Sequence, residues 1–203
     1  MKIYGTQLRG PKIIPYHLHN DHRGSFFESY RESHFFKNHF HLSFRQDNVS
    51  FSNRNVLRGL HFQNPNPQAK LITVLKGKVF DVAVDLLKTS PTFGKWMGVE
   101  LDKDSGKSFL IPETFAHGFV ALSEEVIFHY KCSNEFDPDS EKSVIWNDSS
   151  LNISWPINNP ILSEKDKQAR KLLDFNDDEL FNEPSLTASP EGLALPRKRP
   201  ELF

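Results

Sequence analysis

An Arg, a His and a Lys fall within thirteen residues in the run Asn55-Val56-Leu57-Arg58-Gly59-Leu60-His61-Phe62-Gln63, continued by Gln68-Ala69-Lys70-Leu71. Their neighbours are apolar residues of the kind that build a β-sheet. A lone charge on a half-buried strand is costly unless it is paired or meets an anionic ligand, so three cations together predict an anion site. Histidine titrates near neutrality, which makes His61 a candidate base for removing a proton beside a carbonyl. The enolate formed needs a positive neighbour, which Lys70 or Arg58 could supply. A single histidine on a strand is more often a satisfied structural residue; the company of Arg58 and Lys70 argues for chemistry.

Those side chains need strands to hold them. In Ser43-Phe44-Arg45-Gln46-Asp47-Asn48-Val49-Ser50-Phe51, a period of two places Phe44, Gln46 and Asn48 on one face, where the two amides would line a polar cavity wall. Arg58 and His61 are three residues apart and would point to opposite faces of an ideal strand. Gly59 between them predicts a bulge that re-aims one of the two. Upstream, Lys12 to Leu18 reads as an edge strand limited by Pro15, His19 to Gly24 as a turn, Ser25 to Tyr30 as a strand and Arg31 to Phe40 as a short helix. Downstream, Lys70 to Leu75 and Val79 to Leu86 read as an antiparallel pair joined by the tight turn Lys76-Gly77-Lys78. Further strands are expected at 95–101, 107–111, 117–122, 126–132 and 143–146. Many short strands at roughly 8–12-residue spacing mean a sandwich or barrel rather than alternating βαβ units.

Ser163-Glu164-Lys165-Asp166 opens a helix expected to run to about Leu173, with Ser163 as N-cap and Asp166 at the capping-box position. That role explains Asp166 without catalysis. Tyr130 shares a face with Val126 and Phe128, either as a core aromatic or as a phenolic acid facing the cavity. A His-x-His pair would begin a metal site, but position 63 is Gln; with His117 alone, too few ligands remain at suitable spacing, so no metal is expected. His117 reads instead as a polar lining residue at a loop-to-strand junction.

At 203 residues the chain suits one domain with a sizeable core. A net charge of −1 provides no basic footprint for nucleic acid and no polybasic membrane anchor. No window approaches the roughly 18 apolar residues of a membrane span, and the single cysteine, Cys132, suits a reducing compartment and a small buried apolar role. The expectation is a soluble, cytoplasmic protein. The 18 phenylalanines favour a β-rich core. From Pro184 to Phe203 four prolines and no periodicity predict an extension outside the domain formed by 1–183.

Several blocks, in order, carry a resemblance: Val56 to Gln63, Gln68 to Leu71, Gly77 to Asp85, Ser90-Pro91-Thr92-Phe93-Gly94-Lys95-Trp96, Ile111-Pro112 with Phe115-Ala116-His117-Gly118-Phe119, and Trp146-Asn147-Asp148. Over about 12–174 the chain resembles the dTDP-4-dehydrorhamnose 3,5-epimerases. That resemblance implies a mainly β, cupin-type jelly-roll barrel with a few short helices, one of them near the C-terminus. It also implies a homodimer with exchanged N-terminal strands, no metal or cofactor, and a nucleotide-sugar substrate. The implied reaction is epimerisation of dTDP-4-keto-6-deoxy-glucose at carbons 3 and 5, on the way to dTDP-L-rhamnose.

Carried over by position, His61 resembles the base, Asp166 the carboxylate that orients it, Tyr130 the acid on the opposite face and Lys70 the cation beside the enolate. Arg58, Gln46, Asn48, Glu28 and His117 match substrate-pocket positions, and Arg23 matches a nucleotide-phosphate ligand from the partner subunit. Two positions depart from the pattern: Glu135-Phe136 stands where the family commonly has a Tyr pair, and His19 where an aromatic is frequent. Both places are associated with the nucleotide, and loss of a stacking ring bears on the base it accepts. The nearest alternative is a mono-epimerase of a related 4-keto-sugar; more distant ones are a non-catalytic sugar-nucleotide-binding barrel and a metal-dependent cupin.

Overall fold

The computed structural model describes residues 4–5, 8, 10–38 and 40–183. The extension expected at 184–203 lies outside them. Strands appear where short β-branched and aromatic runs are bounded by turn residues. They are β1 (Tyr4–Gly5), β2 (Lys12–Pro15), β3 (His19–Asp21), β4 (Gly24–Phe26), β5 (Gln46–Asn53), β6 (Leu57–Gln63), β7 (Lys70–Lys76), β8 (Lys78–Asp85), β9 (Trp96–Asp102), β10 (Lys107–Ile111), β11 (Phe115–Ala121), β12 (Glu125–Cys132) and β13 (Glu141–Ser143). Helices α1 (Glu32–Lys37) and α2 (Glu164–Lys167) and a 3-10 turn at Leu172–Asp174 complete the elements.

Two antiparallel sheets face each other, one in the order β1-β2-β10-β7-β12-β5 and the other β13-β6-β11-β8-β9; β3 and β4 pair only with each other. This is the mainly β, jelly-roll arrangement expected of a cupin-type barrel. Several expectations change in detail. Lys76-Gly77-Lys78 does form a tight turn, with Gly77 at φ +77°, but β7 and β8 do not pair. β7 pairs with β10 and β12 while β8 pairs with β11 and β9, so the turn carries the chain from one sheet to the other. A Cβ at Gly77 would lie 2.3 Å from the Glu125 carbonyl oxygen, which leaves room only for glycine. The strand expected over Ser25 to Tyr30 shrinks to the second arm of the β3–β4 hairpin. The last strand falls at Glu141–Ser143 rather than 143–146. The C-terminal helix is four residues long: Ser163 caps it, but Gln168 already leaves helical geometry, and the chain re-forms only the 3-10 turn four residues later.

Apolar residues divide into three clusters. Between the sheets at one end of the barrel pack Ile72, Val74, Phe109, Phe119, Phe128 and neighbours, with Phe119 and Phe128 stacked at 4.0 Å between centroids. The outer face of the five-stranded sheet is covered by the C-terminal segment, through Leu151, Leu172, Phe175 and Phe181 on Leu60, Phe62 and Val84. α1 and Leu42 cover part of the other sheet. Burying both faces of each sheet at these places fixes strand register. The end of the barrel that the first cluster does not fill is open.

Candidate active site

The open end holds a cavity of about 360 Å³ walled by Arg58, His61, Lys70, His117, Tyr130 and Asp166. Strand pairing explains how these residues meet. Across three neighbouring strands Cys132 sits opposite both Gln46 and Lys70, and two residues on Tyr130 sits opposite both Asn48 and Ile72. Lys70, Tyr130, Gln46 and Asn48 therefore share the inner face of one sheet. On the facing sheet His61 lies opposite His117, and His117 opposite Ala83.

The bulge expected at Gly59 is present. His117 pairs with His61 but Phe119 pairs with Arg58, so Gly59 and Leu60 together oppose Gly118. Arg58 and His61 consequently line the same cavity, while Leu60 and Phe62 turn outward into the cluster beneath the C-terminal segment. Gly59 has φ +117°, and a Cβ there would fall 2.5 Å from the Gly118 Cα. Only glycine suits that position.

His61 Nε2 lies 2.6 Å from Asp166 Oδ1, a contact spanning 105 residues of sequence. The Asp166 side chain is 4% exposed and that of His61 29%. Burial works to raise the Asp166 carboxyl pKa, but hydrogen bonds from His61 and Ser163, with the nearby charges of His61 and Lys165, outweigh it and hold it below its ordinary value. An ionised carboxylate on Nε2 leaves Nδ1 as the free nitrogen of the ring. Tyr130 is pushed up chiefly by burial, with Cys132 adding and Arg58 opposing, so its phenol stays protonated at neutral pH. Lys70 is 8% exposed; burial lowers its ammonium pKa against the raising pull of Cys132, Glu141 and Asp81.

Behind them His117 Nε2 is 3.0 and 3.1 Å from the two Asp81 oxygens. Burial disfavours charge on both, lowering the histidine and raising the aspartate. Arg58 stands at the mouth, donating to Ser52 Oγ at 3.1 Å and the Phe51 carbonyl at 3.2 Å. Gln46 and Asn48 border an adjoining recess of about 240 Å³ that shares His61, Lys70 and Tyr130 with the main cavity. Gln46 donates to Asn48 at 2.9 Å and accepts the Phe136 backbone N–H at 2.7 Å. Among the described residues no group of three or more His, Cys, Asp or Glu side chains is placed to hold a metal ion.

Two expected positions are elsewhere in the chain. Arg23 is exposed and pairs with Asp21 at 2.6 Å. Glu28 accepts from Arg31 Nε at 2.8 Å and borders a separate hollow with Tyr16, His17, His19 and Phe26. Neither reaches the His61 cavity within one chain. Conversely Ser163, Lys165, Ile161 and Ser50 line the cavity without having been singled out as site residues. Ser163 was legible only as a cap, and Asp81 only as one of the alternating residues of β8.

The barrel and this cavity define the class, a cupin-type isomerase. The family model for dTDP-4-dehydrorhamnose 3,5-epimerase matches residues 5–174. A dTDP-4-dehydrorhamnose 3,5-epimerase of Methanothermobacter thermautotrophicus is 46% identical over 170 residues, covering 82% of this chain and 92% of that protein. Among solved structures, a dTDP-6-deoxy-D-glucose-3,5-epimerase of Legionella pneumophila, in complex with dTDP-4-keto-L-rhamnose, superposes with a TM-score of 0.87 at 41% identity over 91% of this chain and 99% of its own. A 4-keto-6-deoxy sugar epimerase from the novobiocin gene cluster of Streptomyces spheroides gives 0.84 at 37% identity over 90% and 92%. The chain belongs to the dTDP-4-dehydrorhamnose 3,5-epimerase family.

Proposed function

We propose that this protein epimerises dTDP-4-keto-6-deoxy-glucose at carbons 3 and 5, giving dTDP-4-keto-L-rhamnose in dTDP-L-rhamnose biosynthesis. The 4-keto group acidifies the hydrogens on both neighbouring carbons. Nδ1 of His61 takes one such proton as the C–H electron pair moves into the ring, placing negative charge on the C4 oxygen beside the Lys70 ammonium. Tyr130 then delivers a proton to the same carbon from the opposite face, which inverts it. Solvent returns the proton to Tyr130 and removes that on His61, and a second cycle treats the other carbon. No electron is gained or lost, and the reaction draws on no cofactor.

The observation that carries this reading is the 2.6 Å contact of His61 with the buried, ionised Asp166 in a cavity that also presents Lys70 and Tyr130. Arg58, Gln46, Asn48 and His117 are the remaining substrate contacts. We assign Arg23 and Glu28 to the partner's cavity in a homodimer with exchanged N-terminal strands. Three features support that arrangement: the β3–β4 hairpin joins neither large sheet, Phe26 on it is 71% exposed, and the edge strand β5 presents Val49 and Phe51 to solvent. Residues 1–183 then form one domain, in a cytoplasmic enzyme.

Incubation with dTDP-4-keto-6-deoxy-glucose in deuterated water tests the reading. Deuterium is expected at both carbons, and lost from both in His61→Ala. Exchange at one carbon only moves the protein to the mono-epimerases. No exchange at either carbon removes the proposal and leaves a binding barrel.

A further inference from the structure

Ser163 makes two side-chain hydrogen bonds with one residue. Its hydroxyl oxygen accepts the Asp166 backbone N–H at 3.1 Å, and its O–H donates to Asp166 Oδ2 at 2.9 Å. The first is an ordinary N-cap. The second is not needed to cap a helix. In a capping box the acidic side chain at this position reaches back to the backbone N–H of the cap residue; here the carboxylate is engaged on both oxygens elsewhere, Oδ2 by Ser163 and Oδ1 by His61 Nε2 at 2.6 Å. One oxygen is held within α2 and the other points across to β6.

A carboxylate with a single anchor can rotate about its Cβ–Cγ bond, and the imidazole it holds then loses a fixed orientation. With Oδ2 anchored, Oδ1 has one direction to face, and that direction meets Nε2. The tautomer follows: Nε2 carries the proton toward the carboxylate and Nδ1 is left free. Ser163 itself lines the cavity, so its hydroxyl lies in the same space as the ring it steers indirectly.

We infer that Ser163 is a positioning residue of the epimerisation, a third member of the chain His61–Asp166–Ser163 that fixes which imidazole nitrogen faces the sugar. This rests on His61 being the base. Both side-chain hydrogen bonds of Ser163 go to Asp166, so it acts through that carboxylate.

Ser163→Gly separates capping from positioning, because glycine is nearly as good an N-cap as serine but offers no hydroxyl. It is expected to lower kcat about 10-fold or more while leaving KM within about 3-fold, in line with the loss of a hydrogen bond to a charged group. The acid limb of the kcat–pH profile should move to higher pH, since a donor that favours the ionised Asp166 has gone. Ser163→Thr, which keeps the hydroxyl, is expected to restore kcat to within about 3-fold and to return the limb to its original place. A Ser163→Gly enzyme with parental kcat and an unmoved limb overturns the inference, as does a Ser163→Thr enzyme as impaired as the glycine variant. His61→Ala run alongside keeps the two readings apart. If it retains exchange, the base assignment has failed; if it is inactive while Ser163→Gly is parental, only the role of Ser163 has.

Discussion

At the scale of single residues the site depends on which groups burial charges or discharges. Asp166 is ionised below its ordinary range because His61 and Ser163 hydrogen-bond it more strongly than burial opposes it. A carboxyl depressed in the folded state adds stability above its unfolded value, and that stability disappears as pH falls through the folded one. Asp166→Asn should therefore weaken the resistance of the protein to urea at neutral pH and flatten its loss toward acid. In the same variant kcat should fall about 10²–10⁴-fold, the usual span of a general-base effect. On the alkaline side the two acids shift in opposite directions: burial raises Tyr130 and lowers Lys70. Loss of the Lys70 proton removes the cation beside the enolate, so the alkaline limb of kcat/KM for free enzyme is expected below the ordinary lysine range. Lys70→Arg should push that limb upward, because guanidinium stays charged. His61 and Lys70 were legible in the sequence as cations among apolar neighbours. Asp166 was legible only through the family resemblance, because a helix-start pattern accounts for it completely and nothing local reveals a partner on β6.

Elements place these residues, and the least tolerant of them is β6. Its extra residue at Gly59 lies against Gly118, with a positive φ and with the Gly118 Cα 2.5 Å from where a Cβ would stand. Gly59→Ala should cost about 2–5 kcal/mol in denaturant unfolding, the sum of backbone strain and overpacking, and the surviving folded protein should have reduced exchange activity. The bulge was legible because two residues wanted on one face were an odd number apart with a glycine between them. The short α2 was not. Lys165 and Asp166 are held by Glu141 on β13 and His61 on β6, so tertiary contacts, more than helix propensity, fix those four residues, and the capping pattern marked where the helix starts but not where it ends.

For the whole molecule, short strands punctuated by turns announced a β-sandwich or barrel, but they did not say which strand belongs to which sheet. Lys76-Gly77-Lys78 has the chemistry of a hairpin turn, and only the pairing of β7 with β12 and of β8 with β11 shows that it bridges the layers. The same limit applied to Arg23 and Glu28, which lie outside the His61 cavity of their own chain and which we assign to a site completed by a second copy. Mixing provides the test. His61→Ala and Arg23→Ala are each expected to be impaired alone; combined and allowed to exchange subunits, they should recover roughly a quarter of parental activity, because half the dimers carry one intact site of two. Recovery that stays at the sum of the separate variants would place both residues in one chain.

The bulge in β6 also has an arithmetic of its own. Arg58, His61 and Gln63 face inward and Leu60 and Phe62 outward, so with Gly59 struck out the remaining residues alternate without a break, and Phe119, Gly118 and His117 would meet Arg58, Leu60 and His61 one to one. The glycine is thus an interpolation: it bends and twists the strand between guanidinium and imidazole and leaves the in-and-out order of these residues untouched. Removing it should be gentler on the fold than replacing it. A Gly59 deletion variant is expected to melt cooperatively, above Gly59→Ala, yet to bind and turn over sugar nucleotide poorly, because the local bend and twist that the bulge gives β6, and with them the aim of Arg58 and His61, would be lost.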